Sequence, residues 1–292
     1  MPSARLLIFA EHTIMALHPP GPAGALTFCV TAMLGSPGFG GVAELPPARG
    51  GHSDSVVGLF TRAAATYGAV GPPHFTYFAR RLVGFVGIEP GDRILDVATG
   101  TGAVLLAAAE RCADGLQVVG IDLTPAMLER AAREVRRKRP KARLCVMDTE
   151  RLAFRSHSFD AGLCSFAFLS IPDKQRALAE FCRVLGPVGA LGGQCTTEND
   201  SSMLGAMVQD AGYMSVQLSE DAYELVFTDA DGWWRWAWCH GSRRLFVMVP
   251  ATRQAELKDR LFRGLAQCRG DDGLIHGTLR AVLTRARSSA AR

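Results

Sequence analysis

The feature that most constrains this chain is a short apolar run that reaches an aspartate and then turns on two glycines. Arg93-Ile94-Leu95-Asp96-Val97 has the length and character of a buried strand, and Ala98-Thr99-Gly100-Thr101-Gly102 follows with no spacer. Gly102 to Cys112, rich in Ala and Leu, then reads as a helix. Glycines at such a turn let the backbone adopt positive φ and approach a ligand closely. The same alternation continues. Leu116 to Asp122 reads as a second strand, and Pro125 to Arg139 as a helix with Thr124 as N-cap. Arg143 to Met147, Phe159 to Phe166 and Val188 to Cys195 read as further strands, with a helix over Pro172 to Leu185. Strands alternating with helices predict a mainly parallel sheet covered on both faces.

The flanks are less regular. Residues 55–67 and 74–87 read as two helices before the turn at Glu89-Pro90-Gly91-Asp92. Residues 196–222 read as irregular and 223–228 as a strand. The tail from 251 reads as two amphipathic helices, one on Leu257, Leu261 and Leu265, the other on Leu279, Val282 and Leu283. Residues 1–50 carry Pro19, Pro20, Pro22 and several glycines, and read as a flexible extension or as sequence upstream of a later start at Met15 or Met33. The expected organisation is therefore that extension, then one domain over 51–292 with a core at 90–195 and lid or substrate elements at 55–90 and 196–250.

Composition limits the function classes. An apolar fraction of 48% and a charged fraction of 21% fit a packed globular chain. No apolar run reaches the length of a membrane span, so a cytoplasmic protein is expected. The net charge of +4 is too mild to single out nucleic acid. The basic run from Arg133 to Arg143 lies largely at a helix C-terminus, where cations complement the helix dipole. Eight cysteines show no close pair of the zinc or redox kind and sit mostly in apolar runs, so buried reduced thiols and no metal are expected.

Ligands of a parallel sheet bind at the carboxyl ends of its strands. Three acids fall at three such ends: Asp96, Asp122 and Asp148. Asp122 follows Gly102 by the spacing at which a carboxylate accepts the ribose hydroxyls of a nucleotide. A dinucleotide is the rival ligand. Leu105 replaces the third glycine of that fingerprint, and Asp96 would place a fixed negative charge beside a pyrophosphate. S-adenosylmethionine (SAM) has no phosphate and carries a sulfonium and an amino group, so an acidic turn suits it.

The ordered runs LDVATGTGAV, VVGIDLTPAML, VMDTERLAF, SFDAGLCSFAF and PDKQRALAEFCRVLGPVGAL resemble the class I SAM-dependent methyltransferases. The pattern is similar to the ubiquinone/menaquinone-biosynthesis C-methyltransferases and to actinobacterial natural-product methyltransferases, over about residues 56–195. That resemblance implies an α/β, Rossmann-like, mainly parallel seven-stranded sheet with helices on both faces, plus helical lid elements. It implies that Asp96 orders the turn and faces the methionine amino group, and that Ala98, Gly100 and Gly102 line the methionine moiety. Asp122 would hold the ribose, Leu123 and Met127 would pack on adenine, and Asp148 and Thr149 would meet its edge. Ser165 would lie beside the sulfonium, and Tyr67 would close over the cofactor. Gly186-Pro187-Val188-Gly189 departs from the family's Pro-Gly-Gly and puts the turn geometry there in question.

The acceptor side rests on fewer residues. Trp233, Trp234, Trp236 and Trp238 are all of the chain's tryptophans, and such a cluster can wall an apolar or aromatic pocket. Trp234 and Trp238 are the candidates for substrate contact. His74 and His240 are weak candidates for a base, should the acceptor atom need one. The expected activity is methyl transfer from SAM to a small apolar or aromatic metabolite, natural-product or quinone-like. The alternatives are a methyltransferase acting on RNA or protein, and a SAM-binding protein that does not methylate, including one used for cyclisation. The expected partner is the small-molecule acceptor, with neither nucleic acid nor membrane, and with a homodimer left open.

Overall fold

Nine strands share one sheet in the computed structural model, which describes residues 15–17, 26–27, 52–111, 117–138, 141–195 and 205–288. In chain order these are β1 (Met15–Leu17), β2 (Leu26–Thr27), β3 (Arg93–Val97), β4 (Gln117–Asp122), β5 (Ala142–Val146), β6 (Phe159–Ser165), β7 (Leu185–Cys195), β8 (Tyr213–Phe227) and β9 (Ile275–Ser288). The helices are α1 (His52–Ala63), α2 (His74–Val86), α3 (Ala103–Arg111), α4 (Pro125–Lys138), α5 (Lys174–Val184), α6 (Ala230–Trp238), α7 (Arg243–Met248) and α8 (Gln254–Gln267), with a further helical segment at 205–210.

The strand order is β2-β1-β9-β7-β6-β3-β4-β5, with β8 also paired to β9. The five strands β5, β4, β3, β6 and β7 are parallel, and β9 joins β7 antiparallel. The chain leaves β3 toward β4 and β5, then returns to the other side of β3 as β6. That reversal is the topological switch point, and it opens a crevice at the carboxyl ends of β3, β4 and β6. The sheet thus has nine strands rather than the seven expected, with the parallel part confined to five.

β3 shows why this strand is an apolar run. Leu95 and Val97 pack on Leu178 and Phe181 of α5, while Ile94 packs with Ala79, Leu82 and Val83 of α2 on the other face. A central parallel strand is buried on both sides. α2 buries Phe78, Ala79, Leu82, Val83 and Val86, and stops at Gly87, whose φ of 79° lets its N–H reach the Val83 carbonyl. Asp173 caps α5, its Oδ1 accepting from Arg176 N at 3.0 Å.

Three expectations are corrected. Ile275–Ser288 is a strand, not a helix. Ile275, Gly277, Leu279, Ala281 and Leu283 alternate as its buried positions, and the spacing of Leu279, Val282 and Leu283 imitated a helical stripe because both faces are covered near its centre. Residues 213–222, read as irregular, extend β8 and pair with β9. Cys145 is exposed rather than buried, because β5 is an edge strand. Within 1–50, Met15–Leu17 and Leu26–Thr27 pair into the sheet; the remainder of that extension lies outside the described residues. The departure at Gly186-Pro187-Val188-Gly189 coincides with a register shift against β6. A Cβ on Gly189 would come within 2.8 Å of the Leu185 Cβ, so only glycine fits.

The basic run on α4 is partly neutralised by Arg137 to Glu134 at 2.6 Å and Lys138 to Glu110 at 2.8 Å. Among the described residues, no helix is long and apolar enough to cross a membrane.

Candidate functional site

The turn after β3 is built from left-handed residues. Ala98, Gly100 and Gly102 have φ of 52°, 55° and 90°. Three of its amides are bonded inside the protein. Thr99 N donates to Ile121 O at 2.9 Å and Gly102 N to Thr99 O at 2.8 Å. Gly100 N donates to Asp122 Oδ2 at 2.9 Å, and Thr124 N to Asp122 Oδ1 at 2.8 Å. Asp122 therefore ties the β3 turn to the β4 turn. A dinucleotide site uses such turn amides for its pyrophosphate; here the central one, Gly100 N, serves a carboxylate instead.

Asp96 stabilises the same turn from beneath. Its Oδ2 accepts from Thr99 Oγ1 at 2.6 Å and from Leu105 N at 2.9 Å. Leu105, at the place of the absent third glycine, thus supplies an amide to Asp96 and a fully buried side chain to the core. Both bonds converge on Oδ2, so Oδ1 stays available to a ligand in the cleft that Asp96 lines. Burial pushes the Asp96 carboxyl up to about 7; the Thr99 hydroxyl and Leu105 amide oppose this, and the charge of Asp122 adds to it. Asp122 is also raised, by burial, against the pull of the Thr124 and Gly100 amides.

The cleft at these strand ends brings together Tyr67, Asp96, Ala98, Gly100, Asp122, Leu123, Met127, Asp148, Thr149 and Ser165. Gly102 is not on its wall. A Cβ there would lie 3.4 Å from the Ala131 Cβ, so this glycine serves the turn and the close packing of α3 against α4. Asp148 holds its own turn through Glu150 N at 2.9 Å. The acidic wall residues are Asp96, Asp122, Asp148 and Glu150, and no Lys, Arg or His lines the cleft among the described residues.

Aromatic rings also wall the cleft, and of these only Tyr67 was expected from the sequence. Phe60, Tyr67, Phe75 and Phe166 line it. Tyr67 and Phe75 stack at 5.4 Å, Phe60 meets Tyr67 edge-on at 5.8 Å, and Phe166 meets Phe75 at 6.1 Å. Phe166 has a φ of 57°, an uncommon state for a bulky residue that recurs at functional sites. Its aromatic side chain and its place after Ser165 were the only signals in the sequence.

The tryptophans lie elsewhere. Trp234 stacks on Phe246 at 4.9 Å and meets Trp238 at 5.7 Å, so both pack α6 against α7 and α8 instead of facing the cleft. Their spacing on one helix gave no hint of which side the cleft would be. His74 and His240 are 3% and 4% exposed and sit behind the aromatic wall, not on it.

A Gly-rich turn whose Thr99, Gly100 and Gly102 amides are bonded within the protein, a row of strand-end acids, and a cleft that no Lys, Arg or His lines among the described residues suit SAM. Residues 94–189 match the family model for a methyltransferase domain, and S-adenosylmethionine is the cofactor of such a domain. The donor set fits it: free carboxylate valence for the amino group and ribose, apolar Leu123 and Met127 for adenine, and no charge that would repel the sulfonium. Among curated relatives, the chain is 35% identical over 141 residues to aklanonic acid methyltransferase DauC of Streptomyces sp. (strain C5), covering 48% of this chain and 64% of that one. It is 28% identical over 250 residues to nocamycin O-methyltransferase of Saccharothrix syringae, covering 71% and 89%. Demethylmenaquinone methyltransferase of Thermus thermophilus is 40% identical over 112 residues, with the match spanning 38% of this chain and half of that enzyme. The YcgJ protein of Bacillus subtilis shares the fold at a TM-score of 0.54 and 20% identity, covering 74% of this chain and 100% of that one.

With the ligand's amino group at Asp96, as the sequence resemblance implies, the raised carboxyl predicts a pH dependence of SAM binding with a fixed sign. Near pH 6 the ligand-free carboxyl is mostly protonated, since its midpoint lies at about 7. A cationic amino group favours the ionised form, so binding there releases a proton. Affinity is expected to fall as pH drops from about 7 to about 5, by up to about tenfold per unit, a window in which the ligand's own amino group stays charged. Calorimetry in two buffers of different ionisation heat reads the released proton directly. Asp96→Asn removes the release; proton uptake on binding contradicts the assignment.

Proposed function

We propose that the protein transfers the methyl group of SAM to a small apolar or aromatic metabolite, of natural-product or quinone-like character. One observation carries this reading: a single cleft is lined both by the strand-end acids and by the contacting rings of Phe60, Tyr67, Phe75 and Phe166. Aromatic walls suit a flat apolar acceptor. The names of the relatives, which refer to aklanonic acid, nocamycin and demethylmenaquinone, support acceptors of that kind.

In this reading the bound cofactor supplies an electrophilic methyl group on a sulfonium. The chain's own residues align and desolvate. Asp122, held rigid by the Gly100 and Thr124 amides, takes the ribose hydroxyls. Asp96 Oδ1 takes the amino group, and Asp148 and Thr149 take the adenine edge. Ser165 and Phe166 lie at the end of β6, where acceptor and methyl meet. Tyr67 and Phe75 close the far side as a lid and exclude water, which keeps the acceptor in line with the methyl.

The test is incorporation of labelled methyl groups. The protein is given labelled SAM and a cell extract divided into small-molecule, RNA and protein fractions. Label is expected in the organic-extractable small molecules. Label in RNA or protein overturns the assignment of acceptor class.

A further inference from the structure

We propose that Arg130 is a positioning residue for the cofactor site: by fixing the end of α1 to α4, it sets where the Phe60 and Tyr67 rings stand against the bound cofactor. This rests on the reading of the cleft as a SAM site.

α1 brings Val56 and Phe60 to the cleft, one turn apart, and the chain leaving it brings Tyr67. A helix end leaves carbonyls without intrahelical partners. Here Ala63 O accepts from Tyr67 N at 2.9 Å and from Thr66 N at 3.0 Å. The next two carbonyls, those of Ala64 and Ala65, both accept from Arg130 Nη1, at 2.9 and 2.5 Å. A cation is also the charge that the C-terminal end of a helix dipole favours. Phe60 O accepts from Ala64 N at 2.8 Å, so Phe60 sits one turn before the first pinned residue. Tyr67 sits two residues after the second. Both rings therefore leave a backbone that one side chain holds.

That side chain belongs to the cofactor's floor. Arg130 lies on α4 three residues after Met127, which lines the cleft, and positions i and i+3 share a helix face. The same helix follows directly on Thr124, whose N–H holds Asp122. α1 packs on α4. The floor of the site and the pin for its ring wall are thus one rigid element. The far end of the strap is held in another way. Gly68 N donates to Cys239 O at 3.3 Å, and a Cβ on Gly71 would come within 2.5 Å of the Trp236 ring. Packing on α6 sets that end, and Arg130 sets the end next to the cofactor.

Between the two ends, Tyr67 stacks on Phe75 at 5.4 Å and meets Phe60 edge-on at 5.8 Å. Aromatic pairs depend on ring separation and tilt, so a small displacement at the end of α1 alters both contacts and the shape of the cleft. Arg130 is not itself among the residues that line the cleft. It acts on a bound ligand only through the rings it holds in place.

Labelling with 3-fluorotyrosine reads the position of Tyr67 with no ligand present. The chain has four tyrosines, and Tyr67→Phe identifies the signal. Arg130→Met keeps the bulk of the stem and loses the donors; it is expected to move or broaden the Tyr67 fluorine signal and to leave that of Tyr213, buried in the core, in place. Arg130→Lys keeps a cation with hydrogens to donate and is expected to restore the Tyr67 signal. Calorimetry reads the consequence. Arg130→Met should weaken SAM binding about tenfold, and Arg130→Lys should stay within about threefold of the unmodified protein. In a Phe60→Ala/Tyr67→Ala background, Arg130→Met should cost less than about twofold, because the rings it positions are gone. An arginine that only stabilises the fold would lower the melting temperature and leave the Tyr67 signal and the SAM affinity of the folded protein unchanged. That result, or an equal loss of affinity with and without the rings, overturns the proposal. Should Arg130→Met not fold, Arg130→Gln, whose amide ends short of the two carbonyls, carries the same expectations. Failure of the unmodified protein to bind SAM would strike the cofactor reading, and the Tyr67 signal would still decide whether Arg130 holds the ring.

Discussion

Asp122→Ala is expected to weaken SAM binding by about 1.5–3 kcal/mol, or roughly 10- to 150-fold, because charge-assisted hydrogen bonds are lost. The effect has two parts. The ribose loses its carboxylate, and the Gly100 and Thr124 amides lose the oxygens that hold them at 2.9 and 2.8 Å. Asp122→Asn separates these, since an amide oxygen can still accept one amide hydrogen while the charge is gone; it should fall between the two. Isothermal calorimetry with SAM measures both variants. An affinity unchanged in Asp122→Ala would remove this residue from the site and leave it as a turn brace only.

Phe181→Ala should act on the packing of the sheet and not on the cofactor site. Phe181 of α5 is fully buried over β3 and β6, and the backbone of Gly162 comes so close that a Cβ there would lie 3.0 Å from the Phe181 ring. Deleting the ring leaves a cavity in a close-packed layer between α5 and the sheet. The expected loss is about 3–5 kcal/mol of stability. Urea unfolding should show a lower midpoint with an unchanged slope. SAM affinity of the folded fraction should change little, since Phe181 is not among the residues that line the cleft. Strong loss of SAM binding without loss of stability would contradict this packing.

The parallel core was legible because its signals are local. The β3 strand, its turn and the acids at Asp96, Asp122 and Asp148 stand within short windows, and each strand end is marked by the residue that leaves the apolar run. The rest depends on contacts distant in sequence. β9 needs β7, β1 and β8 beside it before Leu279, Val282 and Leu283 read as a strand. Trp234 and Trp238 could face either the cleft or the core until Phe246 of α7 settled them inward. Phe166 needs a backbone at φ of 57° to turn its ring into the cleft, and no residue type announces that. His74 and His240 lie 166 positions apart by numbering and meet only through α2 and α6.

The acid-lined turn is expected to hold SAM and not a dinucleotide. Calorimetry of the unmodified protein with SAM, its demethylated product and NAD tests this most directly. SAM and its product should each bind with a Kd well below about 1 mM, and NAD should give no heat and no competition. Failure of both sulfur ligands to bind at that level, or displacement of SAM by NAD, would contradict it.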